Sequence, residues 1–557
     1  MTEFQNAIRI NHRGFKKDSQ KRFILTEPSG DSSFSVIYIK DACEYEVYKG
    51  TLEAVTENGH EYYVGDFSSL TDDGDYYVRA GGYVSRQFVI YDGAYDICQR
   101  TLLEYFTYQR CGHPLGWAGR CHLDDGYIKE TGEHVDLSGG YHQSCDLRKS
   151  PGGISIGVHA MLNFAISDKT EWGEILTYDE VKWACDYYVK TIQENGAMYN
   201  TLNDPFGWEG RVFYKSPAPS SAQWNVTCVL ALGYIYMKER DPSLAKKYLD
   251  ASLRSYSFLV GEERPSELYR HPDKYQLGMD PDFFYDQCKK DSNADIAYQI
   301  CAAATLYKAT GDKALLERIQ ELLPRLLDAI PSGTLPFALL RDDDEKRLIT
   351  ASCSYTWSMG GLFALLDAYE LLGDVHGLRD TLVRLLDSVC ETADKNVFRY
   401  LKGIYSDSDL DTPAGHTNHT RREEIGALSY IGDIVSSGEA VKCYSQSAPV
   451  VEPSIVCYYG IFLARGARLL SEKKYMDYAQ SVLDLILGAN ALDSSLIRSI
   501  GYNHAQHKSY GQFFPSTPFI VGAVGVGYGE IDVYKSNSEY DMPCVGLTMY
   551  LISEINK

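Results

Sequence analysis

Apolar and polar positions alternate with a period of two over residues 1–92. Short runs such as AIRIN, RFILTE, SFSVIYI, EYEVYKG, DYYVRAGG and SRQFVIYD are separated by Gly, Asp and Ser turns. A half-buried strand needs that period, and a series of such strands predicts a β-sandwich. Near Tyr95 the period changes: AYDICQRTLLEYFTYQRCG carries its apolar residues at helical spacing. From there on the chain repeats one unit. A long apolar-periodic helix ends in a Gly-Asp type turn and a second helix follows, as in ADIAYQICAAATLYKATGDKALLERIQELLPRLLDAI and SYTWSMGGLFALLDAYELLGDVHGLRDTLVRLLDSV. Paired helices over residues 93–557 predict a solenoid or a closed ring. Closure into an (α/α) barrel gathers the long, aromatic-rich connections at 200–225, 265–295, 403–425 and 500–545 on one rim, around a cleft.

Composition narrows the partners. Lys and Arg number 54 against 76 Asp and Glu, a formal net charge of -22. That charge repels phosphate backbones and anionic bilayers, so neither nucleic acid nor membrane is an expected partner. Tyrosine is unusually frequent, 44 residues against 20 Phe and 6 Trp. An apolar ring with a polar edge suits the face of a sugar. The cysteines are scattered, and several, such as Cys301 in IAYQICAAATLYKATGD, fall inside helical patterns as small buried residues do. The opening MTEFQNAIRINHRGFKK contains no apolar signal core. The expected compartment is a reducing cytoplasm; oligomeric state is left open.

Four segments carry candidate chemistry. In VDLSGGYHQSCDLRKSPGG, Asp146 stands in a Gly-flanked loop with Tyr141 and His142 nearby, before a helix near Ile154. A carboxylate there suits a general base, and equally a loop Asp capping the next turn or pairing with Arg148. In EIDVYKSNSEYDMPCVGLTMYLISEI, Glu530, Asp532, Glu539 and Asp541 precede an apolar terminal helix. A carboxylic acid in a partly desolvated cleft has a raised pKa and can donate a proton, whereas acidic residues also favour a helix N-terminus electrostatically. Cys111, Cys121 and His122 lie close in sequence, with His113 and His142 nearby. Thiolates and imidazoles bind zinc, and a structural site needs four of them. Finally, HTNHTRREE offers His416, His419, Arg421 and Arg422 to a polar cleft or to solvent.

Read in order, these segments resemble glycoside hydrolase family 9, a family of inverting cellulases and exo-glycosidases. IRINHRGF is similar to the first strand of that family's N-terminal immunoglobulin-like domain. The stretch from Gly74 to Gly112, ending in YQRCG, resembles its junction into the catalytic barrel. GGYHQSCDLRK resembles the family's G-G-W-H-D-A-G-D loop, and LGANALDSSLIRSIGYN its L-G-x-N-P segment. The resemblance implies an Ig-like β-sandwich at 1–92 followed by an (α/α)6 barrel at 93–557.

It also implies roles. The general base falls on Asp146, and the family's water-holding Asp falls on Gln143. The general acid falls on Glu539 through Tyr534, Asn537 and Ser538, with Glu530 in reserve. Sugar contacts fall on Tyr141, His142 and Gln143, and on His504 and His507, which stand where the family has P-H-H-R. Cys111, Cys121 and His122 resemble its zinc ligands, while Lys149 occupies the place of a later His. Trp224, Tyr355, Trp357 and His416 are rim residues available to stack on or line a sugar site. The implied activity is single-displacement hydrolysis of β-linked oligosaccharides or β-glycosides, glucoside or glucosaminide, with no cofactor in catalysis and a structural zinc. Two alternatives stand beside it: a non-hydrolytic saccharide binder, favoured by the uncharged Gln143, and an open helical scaffold for protein partners.

Overall fold

The computed structural model describes residues 7–27, 30–57, 59–116, 119–144, 147–149, 151–167, 171–201, 212–264, 290–330, 332–333, 340–341, 348–349, 358–401, 404–410, 428–436, 439–446, 453–504, 520–525 and 540–557. Ten strands come first: β1 Ile8–Arg9, β2 Gly14–Phe15, β3 Arg22–Leu25, β4 Ser33–Lys40, β5 Cys43–Thr51, β6 Glu53–Glu57, β7 His60–Asp66, β8 Gly74–Ala80, β9 Tyr83–Val84 and β10 Phe88–Ile90. They form two sheets, in the orders β1-β3-β7-β6 and β2-β10-β8-β4-β5, with β9 on β8. Alternate residues from both sheets, including Phe23, Leu25, Phe34, Val36, Tyr76, Val78 and Phe88, meet in one core. Phe15, Phe67 and Phe88 pack edge-on or tilted within it. This is the sandwich that the period-two pattern predicts.

Helices follow: α1 Asp96–Gln109, α2 Pro151–Ser167, α3 Glu171–Thr191, α4 Ser220–Met237, α5 Pro242–Val260, α6 Asn293–Thr310, α7 Lys313–Asp328, α8 Ser358–Leu372, α9 Leu378–Ala393, α10 Pro453–Leu470, α11 Lys473–Ile486 and α12 Met542–Asn556. The even-numbered helices pack each on the next, and α12 returns to α2, so they close an inner ring. Closure excludes the open-scaffold alternative. Inner helices are buried on all sides: α6 is buried continuously from Asn293 to Leu306 and α12 from Met542 to Ile555. Outer helices bury one stripe, as α7 does with Leu315, Ile319, Leu322, Leu323 and Leu326. The Gly-Asp turns have a physical basis in the α6–α7 corner. Gly311 takes the left-handed conformation (φ 73°) that ends α6, and the Asp312 carboxylate accepts the Ala314 N–H to start α7.

Inner-to-outer turns are short, whereas every outer-to-inner connection is long, so all the long connections emerge where inner helices begin. Two of them, α7–α8 and α9–α10, together build a sheet that the helical reading did not anticipate. Strands Leu428–Ser436 and Glu439–Gln446 form a hairpin joined by Ile404–Ser406 and Ser332–Gly333.

The sandwich docks on the barrel through its first strands. Asn11 Nδ2 donates to Asp484 Oδ1 at 2.8 Å, and His12 N–H donates to Leu487 O at 2.8 Å. His12 Nε2 lies 2.9 Å from Asp493 Oδ1, whose other oxygen meets Arg86 at 3.3 Å. Thus IRINHRGF and LGANALDSSLIRSIGYN, two of the segments that carry the family resemblance, pack against one another. Among the described residues, no helix is long and apolar enough to cross a membrane.

Candidate active site

The rim has a closest approach between α2 and α12. A Cβ on Gly546 would stand 2.4 Å from Gly157 O, and one on Gly157 would stand 2.7 Å from Met542 O. Only glycine at both places lets the two backbones touch. The chain entering each helix is therefore drawn together. Met542 N–H donates to Gln143 O at 3.1 Å, and Ser144 pairs with Asp541 in an antiparallel bridge. Asp541 N–H donates to Val524 O at 3.2 Å, and Gly525 pairs with Tyr540. Gln143 N–H donates to Arg148 O at 2.7 Å, which links the two flanks of Asp146. The Asp541 side chain is buried at this seam.

Asp146, Glu530 and Glu539 lie outside the described residues, as do Tyr355, Trp357, His416 and His507. Their described neighbours Ser144, Leu147 and Tyr540 are buried at the seam or beside it.

Below the seam is a donor cluster. Cys111, Cys121, His122 and His142 are all buried, and their ligand atoms lie within 4.8 Å of one another. The two Sγ atoms are 3.9 Å apart, Cys111 Sγ is 3.7 Å from His122 Nδ1, and Cys121 Sγ is 3.3 Å from His142 Nε2. Tetrahedral zinc with ordinary Zn–S and Zn–N bonds requires edges of about 3.8 Å and about 3.5 Å, so the donor set and its spacing fit that ion. Burial alone raises the Cys111 thiol pKa, but Cys121, Lys149, His142 and His122 outweigh it and hold the thiol well below its ordinary range. The cluster is assembled by pairing of two distant segments: Arg110 bridges to Tyr141, Cys111 N–H donates to Gly140 O at 2.9 Å and His142 N–H to Gln109 O at 2.8 Å.

Several expected sugar contacts take other places. His142 is the fourth donor of the cluster rather than a cleft residue, because the pairing with 109–111 turns it inward. Tyr141 is fully buried, and its hydroxyl donates to Glu180 Oε2 at 2.8 Å. Glu180 also meets Arg110 at 2.9 Å and accepts from the Thr107 hydroxyl, so Tyr141 belongs to the support behind the loop. Burial pushes both the Tyr141 phenol and the Glu180 carboxyl up in pKa. Gln143 is nearly buried against Gly153 at the start of α2. Trp224 is fully buried in α4, and its indole N–H donates to Asp295 Oδ1 at 2.7 Å, beside Arg264 at 2.8 Å. It packs in the core and presents no face to a sugar. His504 is half-buried, 3.3 Å from Ser495 O, on the segment that meets His12; burial pushes its pKa down.

Residues 95–511 match the family model Glycosyl hydrolase family 9, and residues 3–85 match that of the cellulase N-terminal Ig-like domain. The chain belongs to glycosyl hydrolase family 9. Its relatives include a cellodextrinase of Butyrivibrio fibrisolvens, 29% identical over 354 residues, 57% of this chain and 61% of that protein. An endoglucanase D of Acetivibrio thermocellus is 23% identical over 351 residues, 56% of this chain and 53% of that protein. The matches thus span less than two thirds of these relatives. A solved thermostable endoglucanase from Alicyclobacillus acidocaldarius, a single mutant, superposes with a TM-score of 0.69 at 16% identity, over 99% of this chain and 100% of that one. A family 9 protein of Bacteroides ovatus gives 0.67 at 17% identity, over 99% and 98%. These likenesses carry the fold: an Ig-like sandwich followed by an (α/α)6 barrel.

Proposed function

We propose that the protein is an inverting glycoside hydrolase acting on short β-linked gluco-oligosaccharides. Asp146 serves as general base and Glu539 as general acid. The observation that carries the reading is the Gln143–Met542 link. It ties together, on the rim of a closed helical ring, the two segments to which these carboxylates belong. In the proposed step Asp146 takes a proton from a water on one face of the sugar. That water attacks the anomeric carbon while Glu539 protonates the departing oxygen on the other face. Such a pair works at a separation of about 6.5–9.5 Å, which leaves room for the water. Gln143 stands where the family has a second carboxylate, and its uncharged amide adds no field to that water.

The cellodextrinase and endoglucanase names of the relatives support β-glucan chemistry, and small substrates accord with the reducing cytoplasm expected from cysteine usage. We propose further that Cys111, Cys121, His122 and His142 hold a structural zinc that takes no part in bond breaking. The test is hydrolysis of cellotetraose and aryl β-cellobioside with the product anomer followed by NMR. The α-anomer is expected first, and Asp146→Asn and Glu539→Gln should each lower kcat at least about a hundredfold. Saccharide binding without turnover would instead establish the binder alternative that Gln143 leaves open. A β-anomer would overturn inversion.

A further inference from the structure

The described residues on both flanks of Asp146 are anchored. Upstream, His142 sits in the thiol–imidazole cluster and Gln143 O accepts from Met542. Downstream, Lys149 Nζ donates to Asp125 Oδ2 at 2.6 Å, with both side chains at 0% exposure. Lys149 also reaches Leu137 O at 3.4 Å and lies 5.1 Å from the centre of the Tyr187 ring. Asp125 is itself fixed. Its N–H donates to His122 O at 3.4 Å, its carbonyl accepts from Leu137 N–H at 2.9 Å, and Gly126 and Val135 exchange backbone bonds next to it.

An ion pair withdrawn from water on both sides is a poor source of stability. Desolvation consumes most of the attraction, and an apolar pair of similar volume is often as stable or more so. What the charged pair provides is a short, directional link of fixed length. Here the link runs from the loop carrying two cluster ligands, Cys121 and His122, to Lys149, three residues after Asp146.

We propose that Lys149 and Asp125 form a positioning pair that fixes the downstream flank of Asp146 and so aligns that residue with its water; this rests on Asp146 being the base. The pair transfers no proton and touches no substrate. Misplacement of a reacting group by about 1 Å can lower a rate about a hundredfold, so a strut at this point acts on kcat.

The test uses the full chain with Lys149→Met, Asp125→Asn and the double variant Lys149→Met/Asp125→Leu, beside Asp146→Ala. On folded protein, Lys149→Met is expected to lower kcat ten- to a hundredfold, on the order of a small misplacement, with KM within about twofold. The double variant should recover the melting temperature, since it leaves no lone buried charge, but not kcat. Sodium azide supplies the discriminating readout. Azide attacks the anomeric carbon in place of water and the glycosidic C–O bond breaks. The acid proton goes to the leaving oxygen and an inverted glycosyl azide forms, with no base needed. Azide should therefore restore turnover in Asp146→Ala and in part in Lys149→Met.

The proposal is overturned if kcat returns together with the melting temperature in the double variant, or if azide rescues Asp146→Ala but not Lys149→Met. Should Lys149→Met not fold, Asp125→Asn and the double variant are read by the same two criteria. Full activity in Asp146→Ala would instead remove the base assignment, and the proposal with it.

Discussion

Met542 donates its backbone N–H to the carbonyl of Gln143 at 3.1 Å, which fastens the first residue of the last inner helix to the loop before the first inner helix. Gly157 and Gly546 make the contact possible, since neither position has room for a Cβ. Gly546→Val should force α2 and α12 apart. Overpacking of this kind costs about 1–3 kcal/mol. Because the strain falls on the seam, kcat should fall further than the thermal shift alone explains. Paired melts and steady-state kinetics decide this; a lower melting temperature with unchanged kcat would detach the seam from the chemistry.

The donor cluster makes a second prediction. With four ligands, purified protein should contain about one zinc per chain, and binding free energy then adds to folding. His142→Ala should empty the site and lower the melting temperature, and a strong chelator should do the same to the wild type. Metal analysis by mass spectrometry together with a melt checks both. Full zinc in His142→Ala would return His142 to the cleft.

Asp484 gives a pH dependence with a definite sign. Burial raises its carboxyl to about 7 even though Asn11, Gln480, Arg22 and Lys21 pull the other way. The unfolded chain releases that proton near the ordinary value of about 3.9. Between these two values the folded state holds a proton that the unfolded state lacks, so stability falls as pH rises through this window. Asp484→Asn keeps the acceptor for Asn11 and removes the titration. It should flatten the decline in melting temperature between about pH 4 and about pH 7, and should melt above the wild type at pH 8. Parallel pH profiles of the two proteins would show that the junction does not titrate.

Trp224 separates core from cleft. Trp224→Phe deletes a hydrogen bond to a buried carboxylate and should cost about 1–3 kcal/mol. KM for oligosaccharides should stay unchanged, measured on the folded variant. A several-fold rise in KM would put the indole back against substrate.

Much of the fold was legible in the sequence because its two halves use different periods. The alternation up to Ile90 and the helical spacing from Asp96 on leave little ambiguity, and turns such as Gly311-Asp312 mark the helix ends chemically. The hairpin at 428–446 escapes a helical reading although LSYIGDIVSSGEAVKCYSQ alternates around a Ser-Gly turn, because the helical repeat runs on both sides of it. The site was legible in part. Cys111, Cys121 and His122 are neighbours in sequence, whereas His142 joins them only through the 109–111 pairing with 140–142, which no spacing rule announces. Trp224 is misleading for a related reason. Inner helices are buried all round, so periodicity does not say which of their residues face the rim.

The asymmetry of the barrel's two ends has a practical side. The back corner at 373–377 is largely exposed and joins α8 to α9 by a short turn, at the opposite end of the helices from the long connections. A tag or surface tether grafted into that corner would hold the molecule mouth-outward, with the rim of long connections turned to the solution.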